Sequence, residues 1–263
     1  MQSVPSTLNP LVSLQAETRA MTVIDDLLSS VAQNAPTAPP HDLTVGLYWT
    51  AVNGPQLGLA ATPTDITCCF AQDVSDVGCL HEWPVDRLAQ LLCSSHPLEV
   101  TIGMAALNAL VEVDQAEGVE WNARDVILER GRGKTVVTVG HFPFTDVLRE
   151  VAAQTYVLEL HPTPGDQPAE AAPELIPQAE VIGLTATTLL NGTFESLARL
   201  FPPQALVVML GPSTPLSPVL FDYGVNILGG AMVTDPAAAL RYVSQGSSLH
   251  RVPGLRRFTM VRH

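Results

Sequence analysis

Uncharged polar side chains gather in three stretches, GHFPFTD at 140–146, TATTLLNGT at 185–193 and GPSTPLSP at 211–218. Groups of this kind orient a neutral polar molecule or a phosphate without bringing net charge to it. In the first stretch His141 offers a titratable ring and Phe142 a planar face for stacking. In the second, Thr187, Thr188 and Asn191 combine donors and acceptors, and Asn191 or Thr193 is also suited to cap the helical pattern FESLARL that follows. In the third, Pro212, Pro215 and Pro218 fix φ at three places, so Ser213, Thr214 and Ser217 are expected on a rigid loop that presents them to a ligand. No serine sits in a G-x-S-x-G elbow, which argues against an acyl-enzyme nucleophile. The pattern TYVLEL adds Glu159, about 20 residues after Gly140, where related folds place an acid for a ribose hydroxyl and where a carboxylate can act as acid or base. Glu159 is the expected catalytic residue.

A second cluster is TCCFAQDVSDVGCLHEWPVDRLAQLLCSSH, which holds Cys68, Cys69, Cys79 and Cys93 with His81 and His96. Thiols and imidazoles of this kind suit a soft metal, and Cys68, Cys79, His81 and Cys93 are the metal candidates. The spacing lacks a C-x-x-C pair, and adjacent Cys68 and Cys69 would point to opposite faces of a strand, so buried thiols are the expected state. Asn108, polar within the apolar run AALNAL, either reaches into a cleft between domains or bonds a neighbouring backbone group.

These residues need elements to hold them. From Leu14, apolar residues at Met21, Ile24, Leu28 and Val31 recur at helical spacing. DLTVGLYWTAV and QLGLAAT, joined by NGP, read as a two-stranded hairpin. VDRLAQLLCS after Pro84 and EVTIGMAALNALVEVDQ read as helices, and the charged segment EGVEWNARDVILERGRGK reads as a boundary. Beyond it the strands TVVTVG, TYVLEL, AEVIGLTA and ALVVML alternate with the helices PFTDVLREVAAQ and TFESLARLFP. A Pro-rich loop occupies 162–178, and a late helix DPAAALRYVSQG and a final strand RRFTMV close the chain. The fold class is therefore α/β: a small α+β domain at 1–125, then a Rossmann-like domain at 126–263 with a mostly parallel sheet. In such sheets ligands bind beyond the carboxyl ends of the strands, where the three polar stretches and Glu159 all fall.

Composition narrows the partners. Apolar residues make up 46% of the 263 and charged residues only 15%, which favours a compact protein with a large core and a buried interface, and a homodimer is the expected assembly. The 26 acids against 13 bases leave a net charge of −13, which excludes general attraction to nucleic acid or an anionic membrane. Arg241, Arg251, Arg256, Arg257 and Arg262 crowd the end of the chain, which reads either as a local anion site or, more plainly, as a solvated tail. With no basic segment leading into an apolar one at the start, the expected location is the cytoplasm.

The stretches GHFPFTDVL, TATTLLNGTFESL and GPSTPLSPVLFDYGVNILGGAMVTD resemble, in order and over roughly 134–245, the family described as "putative heavy-metal chelation". TIGMAALNAL at 101–110 is similar to the smaller N-terminal domain of that family. The resemblance implies an enolase-N-terminal-like domain followed by a Rossmann-like domain partly similar to methyltransferases, with a site between them. It also implies metal homeostasis and a pterin-like, flavin-like or metal-chelating small molecule. A non-catalytic metal or metal-chelate binder, or an enzyme using an S-adenosylmethionine-like ligand, are the alternatives. GHFPF departs from the G-x-G-x-x-G phosphate fingerprint, because His141 and Phe142 stand where small residues are needed, so ordinary dinucleotide binding is not expected.

Overall fold

The computed structural model describes residues 21–33, 38–63, 73–114, 118–119 and 121–262. α1 (Val23–Ala32) starts at Thr22, whose hydroxyl accepts from the Asp25 N–H while the Asp25 carboxylate accepts from the Thr22 N–H. This reciprocal cap satisfies two otherwise orphaned donors and fixes the helix start. Val23, Leu27, Leu28 and Val31 form its buried stripe. The part of the expected helix before residue 21 lies outside the described residues.

The expected hairpin is instead a three-stranded antiparallel sheet, in which β1 (Asp42–Val45), β2 (Trp49–Asn53) and β3 (Leu57–Ala61) stand in sequence order. DLTVGLYWTAV breaks at Gly46–Leu47–Tyr48 because the chain turns against a neighbouring helix. A Cβ at Gly46 would lie 2.4 Å from the Val243 carbonyl oxygen, and Leu47 and Tyr48 are left exposed at the turn. α3 (Pro97–Leu110) covers one face of this sheet at β2 and β3, and α2 (Val85–Ala89) packs against α3. α3 stops at Leu110, short of the expected VEVDQ, where acids at a helix C-terminus oppose its dipole. Near its start the Glu99 carboxylate accepts hydrogen bonds from the Ser94 hydroxyl and the Ser75 N–H, which hold its pKa below the usual carboxylate range.

The second unit is an eight-stranded sheet. Its elements are β4 (Gly118–Val119), α4 (Ala123–Arg130), β5 (Thr135–Val139), α5 (Thr145–Val151), β6 (Gln154–Glu159), β7 (Gln167–Pro168), α6 (Ala172–Leu175), β8 (Val181–Thr185), α7 (Thr187–Leu190), α8 (Phe194–Ala198), β9 (Leu206–Leu210), α9 (Val219–Asp222), β10 (Ile227–Val233), α10 (Pro236–Ser244) and β11 (Leu255–Val261). The strand order is β4-β11-β10-β9-β8-β5-β6-β7. From β10 to β7 all neighbours are parallel, while β11 runs antiparallel to both β10 and β4. The molecule is thus the mixed α/β protein expected, a large mostly parallel sheet beside a small antiparallel one.

Three segments differ from the sequence reading. The charged boundary segment contains α4, capped by the Asn122 side chain and anchored by fully buried Ile127. The Pro-rich loop carries β7 and α6. NILGGAMV, not expected to be a strand, forms β10, and its glycines mark close approach rather than a turn. A Cβ at Gly229 would lie 2.5 Å from the Cβ of Ala123 on α4, and one at Gly230 would lie 2.9 Å from Leu216. Among the described residues no helix is long and apolar enough to cross a membrane.

The two units share contacts on both flanks. Ala239 and Val243 of α10 pack with Ala51, Leu57 and Leu59 of the small sheet. On the other flank α1 meets α9, where the Tyr223 hydroxyl donates to Asp26 Oδ2 at 2.6 Å and the Val23 N–H donates to Glu195 Oε1 at 2.7 Å. Burial, reinforced by the Asp26 carboxylate, pushes the Tyr223 phenol well above its ordinary value, so it stays a donor. Tyr223→Phe should therefore destabilise the protein by about 1.5–3 kcal/mol, the range for a hydrogen bond to a charged group. A lower denaturant midpoint at constant slope is the expected reading, and an unchanged midpoint would show that this bond holds nothing together.

Candidate functional site

The order of the large sheet reverses at β5 and β8: the chain runs outward from β5 through β6 to β7, then returns to β8 and proceeds through β9 to β10. A crevice opens beyond the carboxyl ends of strands at such a switch point. Here it is a cleft of about 1190 Å³, with Trp49 and Ala61 of the small sheet in its opposite wall. Phe142, Val147, Leu158, Leu160, Leu197 and Leu200 give it apolar surface.

After β5 the chain turns at Gly140, whose φ of +105° is the left-handed region that suits glycine. The next N–H, from His141, donates to Glu159 Oε1 at 2.6 Å. The His141 ring lies with Nδ1 3.2 Å from both carboxylate oxygens of Asp166. Asp166 is 1% exposed at its side chain and also accepts from Arg149 Nη2 at 3.2 Å, from the Thr163 N–H at 3.1 Å and from the Thr163 hydroxyl at 2.6 Å. Burial alone would raise its pKa, but the bonds from Thr163 and His141 outweigh burial and hold it below the usual carboxylate range. An ionised carboxylate only accepts, so Nδ1 of His141 carries the proton that it donates to Asp166. Among the described residues Nε2 has no protein partner.

The other residues marked by the sequence divide into two groups. His141, Phe142, Glu159, Thr187, Thr188, Asn191 and Ser213 all border the cleft. Within that group, Phe142 stacks on buried Phe144 with centroids 5.3 Å apart, so one ring face is already covered. The Thr187 hydroxyl lies 3.0 Å from that of Thr185, and the Thr188 hydroxyl donates to the Thr185 carbonyl at 2.8 Å. Asn191 Oδ1 accepts from the Thr193 N–H and hydroxyl at 3.2 and 2.7 Å, and Thr193, although it precedes α8, makes no side-chain cap bond.

The loop 211–218 does not present its hydroxyls outward. Ser213, Thr214 and Ser217 are only 2%, 3% and 3% exposed, because the loop docks on the small sheet and α3. Ser213 Oγ accepts from the Ala61 N–H at 2.8 Å, while Asn108 Nδ2 donates to the carbonyls of Leu59 at 2.9 Å and Ser213 at 3.2 Å. Proline rigidity here clasps two units together. Thr214 and Asn108 lie behind the cleft wall, where Thr214 Oγ1 and Asn108 Oδ1 are buried without a partner among the described residues.

The cysteine-rich segment assembles no metal centre among the described residues, in which no three His, Cys, Asp or Glu side chains converge. Cys79 and Cys93 are exposed rather than buried, since the adjacent Leu80 and Leu92 take the inward positions of their 3₁₀ turns. His81 is exposed and 3.8 Å from Glu82, and the His96 ring accepts the Leu98 N–H as the cap of α3. Cys68 and Cys69 lie outside the described residues. The donors among the described residues do not fit an ion held by protein side chains alone.

Asp166 and Arg149 escaped the sequence reading. The TPGD turn offered a local signal, since threonine and aspartate flanking a turn bond each other, but nothing in the spacing linked Asp166 to His141.

Residues 122–262 match the family DUF364 and residues 28–111 match DUF4213, both described as "Putative heavy-metal chelation". The first match alone covers more than half of the chain, which therefore belongs to this family. An uncharacterised protein of Methanocaldococcus jannaschii is 27% identical over 160 residues, a match spanning 57% of this chain and 61%, less than two thirds, of that protein. A DUF364-family protein of unknown function from Desulfitobacterium hafniense has a crystal structure similar at TM-score 0.77 and 25% identity, covering 91% of this chain and 98% of its own. Another, from Pyrococcus horikoshii, has TM-score 0.79 at 21% identity, covering 92% and 100%.

Proposed function

We propose that the chain binds a small polar heteroaromatic molecule of pterin or flavin type, free or as a metal complex, in the cleft between its two units. The observation that carries this reading is the His141 imidazole, fixed by buried Asp166 beside a large cleft whose walls are apolar and whose strand-end turns are uncharged. A carboxylate behind one imidazole nitrogen is the usual support for a histidine that meets a metal or a proton with the other. The family description favours metal chemistry. A heavy metal reaching this cleft would arrive as cargo, with most of its ligands supplied by the organic chelator and one by His141.

In this reading Glu159 supports the turn that carries His141 and is not itself the proton acceptor. One of its oxygens receives the His141 N–H, so it shapes the turn, and Nε2 of His141 is the group placed to take a proton from a bound molecule. The methyl-transfer alternative gains nothing from the cleft, because His141 and Phe142 fill the turn where that chemistry needs close backbone approach. Calorimetric titration with riboflavin and with pterin tests the reading. Saturable binding of at least one ring, weakened about tenfold by His141→Ala, is expected for the loss of one well-made polar contact. No saturable binding of either ring would refute it.

A further inference from the structure

Charge is segregated along the cleft. The carboxylates among its lining residues are Glu159, at the end of β6, and Glu170, shortly after β7. Its guanidiniums are Arg257, on β11, and Arg124, in the first turn of α4. β6 and β11 are five places apart in the strand order, and at about 4.8 Å per strand the two ends are separated by roughly 24 Å. The two arginines belong to one end. Arg257 pairs with Ala231 and Thr259 with Gly229, so these four share a face, and Ala123 packs directly against Gly229. The Thr259 hydroxyl donates to the Trp121 carbonyl and ties the approach to α4 to the same strand. His250 borders the cleft just before β11.

Arg257 has no ion-pair partner among the described residues, in a chain with 26 acids to 13 bases. Arg124 has only its neighbour Asp125, at 3.7 Å in a half-exposed pair. In so acidic a protein, two guanidiniums lining the main cleft and free of firm carboxylate partners are placed for an oxyanion from outside, which their planar donor forks match.

We propose that the β11 end of the cleft binds a phosphate-type oxyanion through Arg257 and Arg124, and that the molecule bound in the cleft is a ring carrying an anionic tail. The inference rests on the small-molecule reading and narrows it: the ring lies toward His141 and the tail toward β11. The like charges of Glu159 and Glu170 set the orientation by excluding the tail from the opposite end.

Titration of riboflavin, flavin mononucleotide and inorganic pyrophosphate into the wild type, Arg257→Gln and Arg124→Gln tests this. The two flavins share a ring and differ in the phosphate, while pyrophosphate probes the anion site without any ring. Flavin mononucleotide should bind at least about tenfold more tightly than riboflavin, as expected for a charge-assisted contact, and pyrophosphate should bind alone. Arg257→Gln should abolish both effects and leave riboflavin affinity unchanged; Arg124→Gln should weaken both. Because Arg257 is exposed, loss of folding is not expected to obscure the comparison. Pyrophosphate that fails to bind, or binds Arg257→Gln equally well, overturns the anion site, as does equal affinity for the two flavins. Pyrophosphate binding lost in Arg257→Gln, with neither flavin bound, supports the anion site and refutes the ring reading instead.

Discussion

Asp166→Asn should weaken ring binding on the order of tenfold, the lower bound for loss of a carboxylate behind a ligating histidine. It should also destabilise the fold by about 1–3 kcal/mol through its hydrogen bonds to charged groups. The amide is the same size but keeps only one accepting oxygen, and its NH₂ would face donors from Arg149, Thr163 or His141. His141 would then be free to rotate, so its ring would no longer be held in one orientation beside the cleft. The pH dependence separates the carboxylate from mere shape. A carboxyl whose folded pKa lies below its unfolded value of about 3.9 stabilises the native state above that value, and that contribution fades as pH falls through the folded pKa. The wild type should therefore lose stability below about pH 4 more steeply than Asp166→Asn. Equal acid limbs would mean that Asp166 is not an ionised partner in the native state. Binding also distinguishes positioning from folding: combined with His141→Ala, Asp166→Asn should add little further loss, since it acts through the ring already removed.

The residues that meet at this site were unequally visible in the sequence. His141, Glu159 and Thr187 follow short apolar runs whose ends mark the sheet edge, so hydrophobic pattern alone brings them near one another. Asp166 reaches His141 only because the chain between β6 and β7 folds back over the edge, and no periodicity encodes such a return. β10 was hidden by its own packing: Gly229 and Gly230 leave room for Ala123 and Leu216, and glycines weaken any strand signal. α4 was hidden by its charge, since a single fully buried Ile127 among exposed charged neighbours gives too narrow a stripe to register as amphipathic. The loop 211–218 was legible as rigid but not as buried. Hydroxyls and prolines look the same in sequence whether they face a ligand or a neighbouring strand, and the Ala61 N–H and the Asn108 amide that engage Ser213 come from 152 and 105 residues away.

Gly58→Ala should be the most damaging single methyl group in the small unit, with a loss of more than about 3 kcal/mol, beyond the usual range for overpacking. β3 crosses α3 so closely that a Cβ at Gly58 would lie 2.0 Å from the Ala105 carbonyl oxygen, 2.4 Å from the Ala109 nitrogen and 2.8 Å from the Asn108 carbonyl carbon. All three are main-chain atoms, which cannot swing aside as a side chain can, so strand and helix must separate. α3 is made for this contact by its small residues, and at Gly103 a Cβ would similarly lie 2.3 Å from the Leu92 nitrogen. Gly78→Ala is the matching control. Its φ of +88° makes alanine strained, but nothing lies within 4 Å of the added Cβ, so a loss of only about 1–2 kcal/mol is expected. Separation of β3 from α3 would also pull apart the groups that engage Ser213, since the Ala61 N–H comes from β3 and Asn108 from α3. The cleft wall at Gly211–Ser213 would lose its support, and a folded fraction of Gly58→Ala should bind riboflavin more weakly than Gly78→Ala does. Denaturant midpoints for the two variants, read beside riboflavin titrations, decide it: equal midpoints would mean that β3 and α3 do not meet backbone to backbone, and the clasp between the two units would lose its physical basis.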